Sequence, residues 1–247
     1  MLKVHTFPIL EDNYGYLIEH EGKCIIVDPG EVDKVVAQIE QRGLQPVAIW
    51  NTHHHSDHVD GNAGLLSNYG SLPVVGSEGD RGRVAELTQF VKGGDKLEFG
   101  GESVEILDIP GHTRGHIAFY FPASGHLFSG DLMFGYSCGK IFEGTFEQMY
   151  TSMAQLLNLP DETLVYCGHE YTLGNAKFAQ AVLGDDPHLK RRVESETQAP
   201  TVPLKLGQEK RTNPFLLCHD PRVQAFTGKT VPHEVFGEVR TRKDNFR

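Results

Sequence analysis

The first half of the chain alternates short apolar, β-rich runs with turn residues. Leu2 to Phe7, Tyr14 to Glu19 and Lys23 to Val27 are strand-like, and Asp12-Asn13 and Glu21-Gly22 separate them, which predicts an opening meander. Val32, Val35, Val36 and Ile39 then recur at helical spacing, so a helix is expected from Glu31 to Arg42, with Gly43 as its stop. Pro46 to Asn51 follows as a buried strand and delivers the chain to a histidine cluster at 53–58. Strands return at Lys96 to Phe99, Val104 to Asp108, His116 to Phe121 and His126 to Ser129. A helix is expected over Phe146 to Leu157, then a last strand over Thr163 to Cys167. This order predicts an α/β protein with two sheets packed face to face and covered outside by helices. After residue 171 the alternation stops, prolines become frequent and the spacing turns helical. The expected division is a layered α/β domain over 1–171 and a smaller all-helical domain over 172–247.

Composition narrows the class. A chain of 247 residues that is 39% hydrophobic can bury a substantial core. No apolar run approaches the roughly 20 residues needed to span a bilayer, and residues 1–12 lack the pattern of a secretory signal, so a soluble cytoplasmic protein is expected. Four cysteines without CxxC spacing read as free thiols in a reducing compartment. A formal net charge of −10 argues against nucleic acid as a partner. Residues 210–247 run against that balance, with eight basic side chains and four acidic ones, so the end of the chain is suited to holding a small anion.

The segment His53-His54-His55-Ser56-Asp57-His58 contains H-x-H-x-D-H. Three further candidates stand at the ends of predicted strands: His112 in Pro110-Gly111-His112, Asp131 in Ser129-Gly130-Asp131, and His169 in Cys167-Gly168-His169. Five imidazoles and two carboxylates make a nitrogen and oxygen set without thiolate, suited to zinc, with iron or manganese as alternatives. Seven ligands exceed one ion and fit two that share a carboxylate, an arrangement that generates hydroxide at neutral pH and polarises a carbonyl. The remaining histidines, His5, His20, His54, His126, His188, His219 and His233, are read as core or surface residues. His116 is read as orienting its loop. Asp28 is read as a turn residue, with a hydrogen bond to a ligating histidine as the alternative.

With these residues in order, the chain resembles the metallo-β-lactamase superfamily, whose fold is an αββα sandwich. The resemblance implies that His53, His55 and His112 hold one metal, that Asp57, His58 and His169 hold the second, and that Asp131 bridges them. Ser137-Cys138-Gly139-Lys140, Glu143-Gly144-Thr145, Gly168-His169-Glu170-Tyr171-Thr172, Asn213-Pro214-Phe215 and Arg240-Thr241-Arg242-Lys243-Asp244 extend the likeness to the glyoxalase II family over nearly the whole chain. That family implies a hydroxyacylglutathione hydrolase in which a metal-held hydroxide cleaves the thioester of S-D-lactoylglutathione in methylglyoxal detoxification; a monomer is expected. Asp57 and Asp131 then serve the catalytic centre, and Lys140, Tyr171, Arg240 and Lys243 bind the glutathione arm. Phe142 stands where some members have tyrosine. The competing readings are a mononuclear-iron persulfide dioxygenase on the same scaffold and a non-catalytic protein in which metals staple the fold.

Overall fold

The structure is a computed structural model that describes residues 1–246; Arg247, counted above among the basic side chains, lies outside them. The chain divides into two compact units, Met1–Asp108 with Gly115–Gly130, and Ile109–Arg114 with the chain from Asp131 onward.

The first unit opens with the antiparallel meander Lys3–Ile9 (β1), Asn13–His20 (β2) and Lys23–Val27 (β3). Glu21 and Gly22 join β2 to β3 with φ of 49° and 75°. Two consecutive positive φ values make the turn whose twist matches that of paired strands, and glycine adopts the second at no steric cost. Helix Asp33–Arg42 (α1) follows. It ends where Gly43, at φ 62°, donates its N–H to the Glu40 and Ile39 carbonyls. Parallel pairing then adds Gln45–Trp50 (β4), Val74–Ser77 (β5) and Gln89–Val91 (β6) to the sheet in sequence order.

Val35 and Ile39 of α1 and Leu65 of helix Asn62–Tyr69 (α3) pack with Leu17, Ile26, Ile49 and Val74 on this sheet. Each such buried aliphatic side chain contributes about 1.5–3 kcal/mol. Between α1 and α3 lies the one-turn helix Ser56–Val59 (α2). Strands Lys96–Phe99 (β7), Glu102–Asp108 (β8), Ile117–Phe121 (β9) and His126–Gly130 (β10) form an antiparallel run in this unit. Trp50 of β4 stacks on Phe119 of β9 at 4.8 Å, and Tyr16 of β2 meets Phe128 of β10 edge-on at 5.6 Å. Aromatic side chains therefore join the two sheets face to face, as the sequence pattern predicts.

The second unit begins with the small hairpin Met133–Phe134 (β11) and Ser137–Cys138 (β12). Helix Phe146–Gln155 (α4) starts from a capping box, in which the Thr145 hydroxyl accepts from the Gln148 N–H at 3.1 Å and the Gln148 side chain accepts from the Thr145 N–H at 2.9 Å. Strand Leu164–Cys167 (β13) and helices Thr172–Leu183 (α5), Pro187–Ser195 (α6), Leu206–Thr212 (α7), Pro221–Thr227 (α8) and Pro232–Asp244 (α9) complete it. Proline begins α6, α8 and α9, where its fixed φ suits the first turn and its missing N–H costs nothing. The all-helical expectation fails at one point. Around Pro200 and Pro203 the chain is not helical, and Leu204–Lys205 (β14) pairs antiparallel with β13.

Candidate active site

In the first unit the buried end of β4 sets out Asn51-Thr52-His53, and α2 then carries Asp57 and His58 back beside them. Asp28, at φ 48° just beyond β3, organises this corner from below. One of its oxygens accepts the Thr52 N–H at 2.7 Å; the other accepts the Thr52 hydroxyl at 2.7 Å and faces the His58 Nδ1 at 3.0 Å. A carboxylate only accepts, so His58 carries its proton on Nδ1 and turns the Nε2 lone pair outward. The Thr52 hydroxyl, having given its hydrogen to Asp28, accepts from the His53 Nδ1 at 3.0 Å, which presents the His53 Nε2 in the same way. Asp28 thus hydrogen-bonds one of the expected ligands, His58, and reaches a second, His53, through Thr52. His116 stacks on the His53 ring at 4.6 Å, and Asn13 donates to the Asp57 carboxylate at 2.8 Å. Neither contact has a signal in the sequence.

In the second unit, Gly111 sits against helix α4, where an added Cβ would meet the Met149 Cα at 2.8 Å. Its neighbour His112 donates Nδ1–H to the Lys140 carbonyl at 2.6 Å and turns Nε2 toward Asp131. One Asp131 oxygen stands 3.3 Å from the His112 Nε2 and 3.3 Å from the His169 Nε2.

Whether these groups suit a cation is decided by donor spacing. Atoms sharing one ion at roughly 2.1 Å stand about 3.0–3.4 Å apart. The His53 Nε2 and His55 Nδ1 are 3.0 Å apart, the Asp57 and His58 donors 3.5 Å, and both Asp131 contacts 3.3 Å. The donors of His53 and His58 also lie within 4.8 Å. Each unit thus gathers its own share of the seven expected ligands, His53, His55, Asp57 and His58 in one and His112, Asp131 and His169 in the other, at spacings suited to divalent metal. His54 is drawn into a different contact set, with its Nδ1 3.2 Å from the buried Asp80 and its Nε2 2.7 Å from the Arg83 guanidinium.

The expected glutathione contacts fall together in the second unit. A cavity of about 440 Å³ is lined by Phe134, Ser137, Lys140, Tyr171, Arg240 and Lys243, among others. The Tyr171 ring lies parallel to that of His169 at 4.9 Å, with Phe134 edge-on at 5.1 Å. Arg240, 7% exposed, donates to the Cys138 carbonyl at 3.0 Å and to Asp244 at 2.7 Å. Burial, and then the neighbouring Arg240, hold the Lys243 ammonium below the ordinary lysine pKa. Burial pushes the Cys138 thiol up to about 11, so it stays protonated at neutral pH. All four cysteines are buried free thiols. Phe142 is exposed, its ring 5.2 Å from that of His112. Glu170 also lines the cavity, and its carboxylate accepts the Thr201 N–H at 2.8 Å.

Comparison with known proteins agrees with this picture. Residues 11–169 match the metallo-beta-lactamase superfamily model, and residues 170–246 match the model for the hydroxyacylglutathione hydrolase C-terminus. The chain is 46% identical to a hydroxyacylglutathione hydrolase of Synechococcus sp. (strain JA-2-3B'a(2-13)), over 99% of this chain and 100% of that protein. It is 44% identical to the one of Ruegeria pomeroyi, over 99% of each. Among solved structures, ETHE1 from Myxococcus xanthus superposes with a TM-score of 0.69 at 24% identity, covering 98% of this chain and 91% of that one. TTHA1623 in a di-iron-bound form superposes at 0.62 and 28% identity, covering 87% and 100%. The αββα fold class expected from sequence is that of this superfamily, and the helical C-terminal domain corresponds to the hydroxyacylglutathione hydrolase C-terminus. On full-length identity and on both family models, the chain belongs to the hydroxyacylglutathione hydrolase family of the metallo-β-lactamase superfamily.

Proposed function

We propose that this protein hydrolyses the thioester of an S-(2-hydroxyacyl)glutathione, S-D-lactoylglutathione in the first instance, to glutathione and a 2-hydroxy acid. The observation that carries the reading is the second-unit cavity, where Lys140, Tyr171, Arg240 and Lys243 converge in a chain that also holds a seven-donor set without thiolate. Glutathione carries two carboxylates, which ammonium and guanidinium groups pair by charge-assisted hydrogen bonds. The assignment of a catalytic segment 1–171 and a substrate-binding segment 172–247 belongs to the same proposal. So does a cytoplasmic monomer with no nucleic-acid or membrane partner; a net charge of −10 speaks against nucleic acid, and among the described residues no helix is long and apolar enough to cross a membrane.

His53, His55 and His112 are assigned to one divalent cation and Asp57, His58 and His169 to a second, with Asp131 shared; zinc fits the donors, and iron or manganese also would. Bound there, two such ions supply Lewis acidity that lowers the pKa of water and offsets charge on a carbonyl oxygen. The chain's own groups do the rest. Asp28 and Thr52 hold the His58 and His53 rings in the tautomer that presents Nε2, and the Lys140 carbonyl does so for His112. Asp57, held by Asn13, orients the attacking water. Lys140 and Lys243 hold the glutathione arm while its thiolate departs. No strong general acid is needed, because the conjugate thiol has a pKa near roughly 8.5.

Steady-state turnover of S-D-lactoylglutathione, with metal content measured on the same sample, tests the proposal. Two metals per chain with release of free glutathione support it. Full metal loading without turnover refutes the substrate. One iron per chain with oxygen uptake on glutathione persulfide transfers the protein to the dioxygenase reading.

A further inference from the structure

The second unit contains a charged cluster that plays no part in the chemistry above. Glu209 of α7 is 0% exposed and Arg192 of α6 is 4% exposed. Their side chains are in direct contact, and Arg192 also donates to Glu196 at 2.9 Å and to the Thr212 hydroxyl at 2.7 Å. Burial works against the Arg192 charge, and Glu209 together with Glu196 more than restores it, so its pKa lies above the ordinary arginine value. Replacing a buried ion pair of this kind by apolar residues is often neutral or stabilising, so stability alone is a weak reason for its presence.

The pair is aimed at the hairpin of β11 and β12. Tyr136, in the turn, is fully buried and takes φ 61°, a left-handed setting that side chains other than glycine, asparagine and aspartate rarely adopt. Glu209 accepts the Tyr136 backbone N–H at 3.0 Å, and Glu196 accepts its hydroxyl at 2.7 Å. The Arg192 guanidinium lies 3.8 Å over the Tyr136 ring. Asn213, fully buried, donates to Glu209 at 3.0 Å and to the Ser137 carbonyl at 3.0 Å, linking the carboxylate to the second strand of the hairpin. That hairpin contributes Phe134, Ser137 and Cys138 to the glutathione cavity, and the Cys138 carbonyl anchors Arg240.

We infer that Glu209, with Arg192 and Asn213, is a positioning group for recognition of the substrate's glutathione arm: it fixes the β11–β12 hairpin in the form that shapes the cavity and holds Arg240. This rests on the proposed function, since it names what governs affinity at that site. The Glu209 carboxylate touches no reacting atom, so it governs binding of the arm and leaves the bond-breaking step alone.

The test compares Glu209→Gln with the wild-type full-length, metal-loaded protein. The probes are S-methylglutathione, a thioether that cannot be hydrolysed, and two thioesters: S-D-lactoylglutathione and S-lactoyl-N-acetylcysteamine, which lacks the glutathione carboxylates. The expected result is binding of S-methylglutathione weakened about ten-fold, with KM for S-D-lactoylglutathione raised to match and kcat and metal content little changed. Turnover of the cysteamine thioester stays at the wild-type level. Val35→Ala, a buried change in the α1 core of the first unit, lowers the melting temperature without weakening S-methylglutathione binding. If Glu209→Gln does not fold, the double variant Arg192→Met/Glu209→Gln, which removes both charges, is measured instead and shows the same loss. Equal binding of S-methylglutathione by wild type and variant overturns the inference and leaves the proposed function standing, as does an equal loss on both thioesters. A wild-type protein that does not bind S-methylglutathione overturns both.

Discussion

The donor cluster of the first unit and the basic cavity of the second are built on opposite principles. His53 to His58 come from one run of six residues, and His53 and His58 are buried with their Nδ1 atoms committed to partners that trace back to one carboxylate, Asp28. The cavity draws on positions from 134 to 244, and its cations differ widely: Lys140 is exposed, Lys243 is half-buried, and Arg240 is buried and already paired. A cluster that must place several lone pairs on an ion tolerates no loose member. A cavity suited, as proposed, to a flexible dianion spreads the work over several long side chains. The lesson is that changes in the first region should act as all or nothing and changes in the second by degree.

The strongest attempt to break the contrast is at the donors themselves. His55→Ala should lower kcat by more than about a thousand-fold with loss of bound metal; near-normal turnover at full metal content contradicts the assignment. One step out, Asp28→Ala removes the acceptor behind His58 and Thr52, and a drop of about 10–100-fold in metal affinity is expected, read by metal titration with a chelating competitor. If that variant holds metal as tightly as wild type, the first region is less cooperative than its hydrogen bonds imply.

In the cavity, Lys140→Ala should raise KM about ten-fold with kcat nearly constant, because it removes binding shared by substrate and transition state. A large fall in kcat instead would place Lys140 in the chemistry. The smallest effect expected is with pH. Lys243 has a lowered pKa, so as pH rises its positive charge is lost earlier than that of an ordinary lysine at 10.5. KM should therefore climb on the alkaline side below that value, by a few-fold for one of several cations, and the climb should vanish in Lys243→Met. A KM that rises equally in the variant assigns the effect to another group.

Much of this was legible before any coordinates. The strand at Lys23–Val27, the helix ending at Gly43 and the turn into His126 stand within a residue or two of their expected places, because period-two and helical spacing report burial directly. Short elements were not legible: β5, β6 and β14 have only four, three and two residues, too few for a period to show. The segment 172–247 was expected to be all-helical, whereas the chain after Pro203 extends at Leu204–Lys205 and pairs with β13.

The sequence by itself determined the chemistry, since the identity and spacing of His53, His55, Asp57 and His58, with His112, Asp131 and His169, state which donors exist and that thiolate is not among them. It also showed the basic excess in residues 210–247, which made a small anion the expected ligand. Tertiary structure alone decided which nitrogen each imidazole presents, because that depends on Asp28, Thr52 and the Lys140 carbonyl, which lie 30 residues from His58, beside His53, and 28 residues from His112. It also decided that Glu209 reaches Tyr136 across 73 residues of chain. Hydrogen bonds act over about 3 Å of space and carry no signature along the sequence, so only folding discloses the partner.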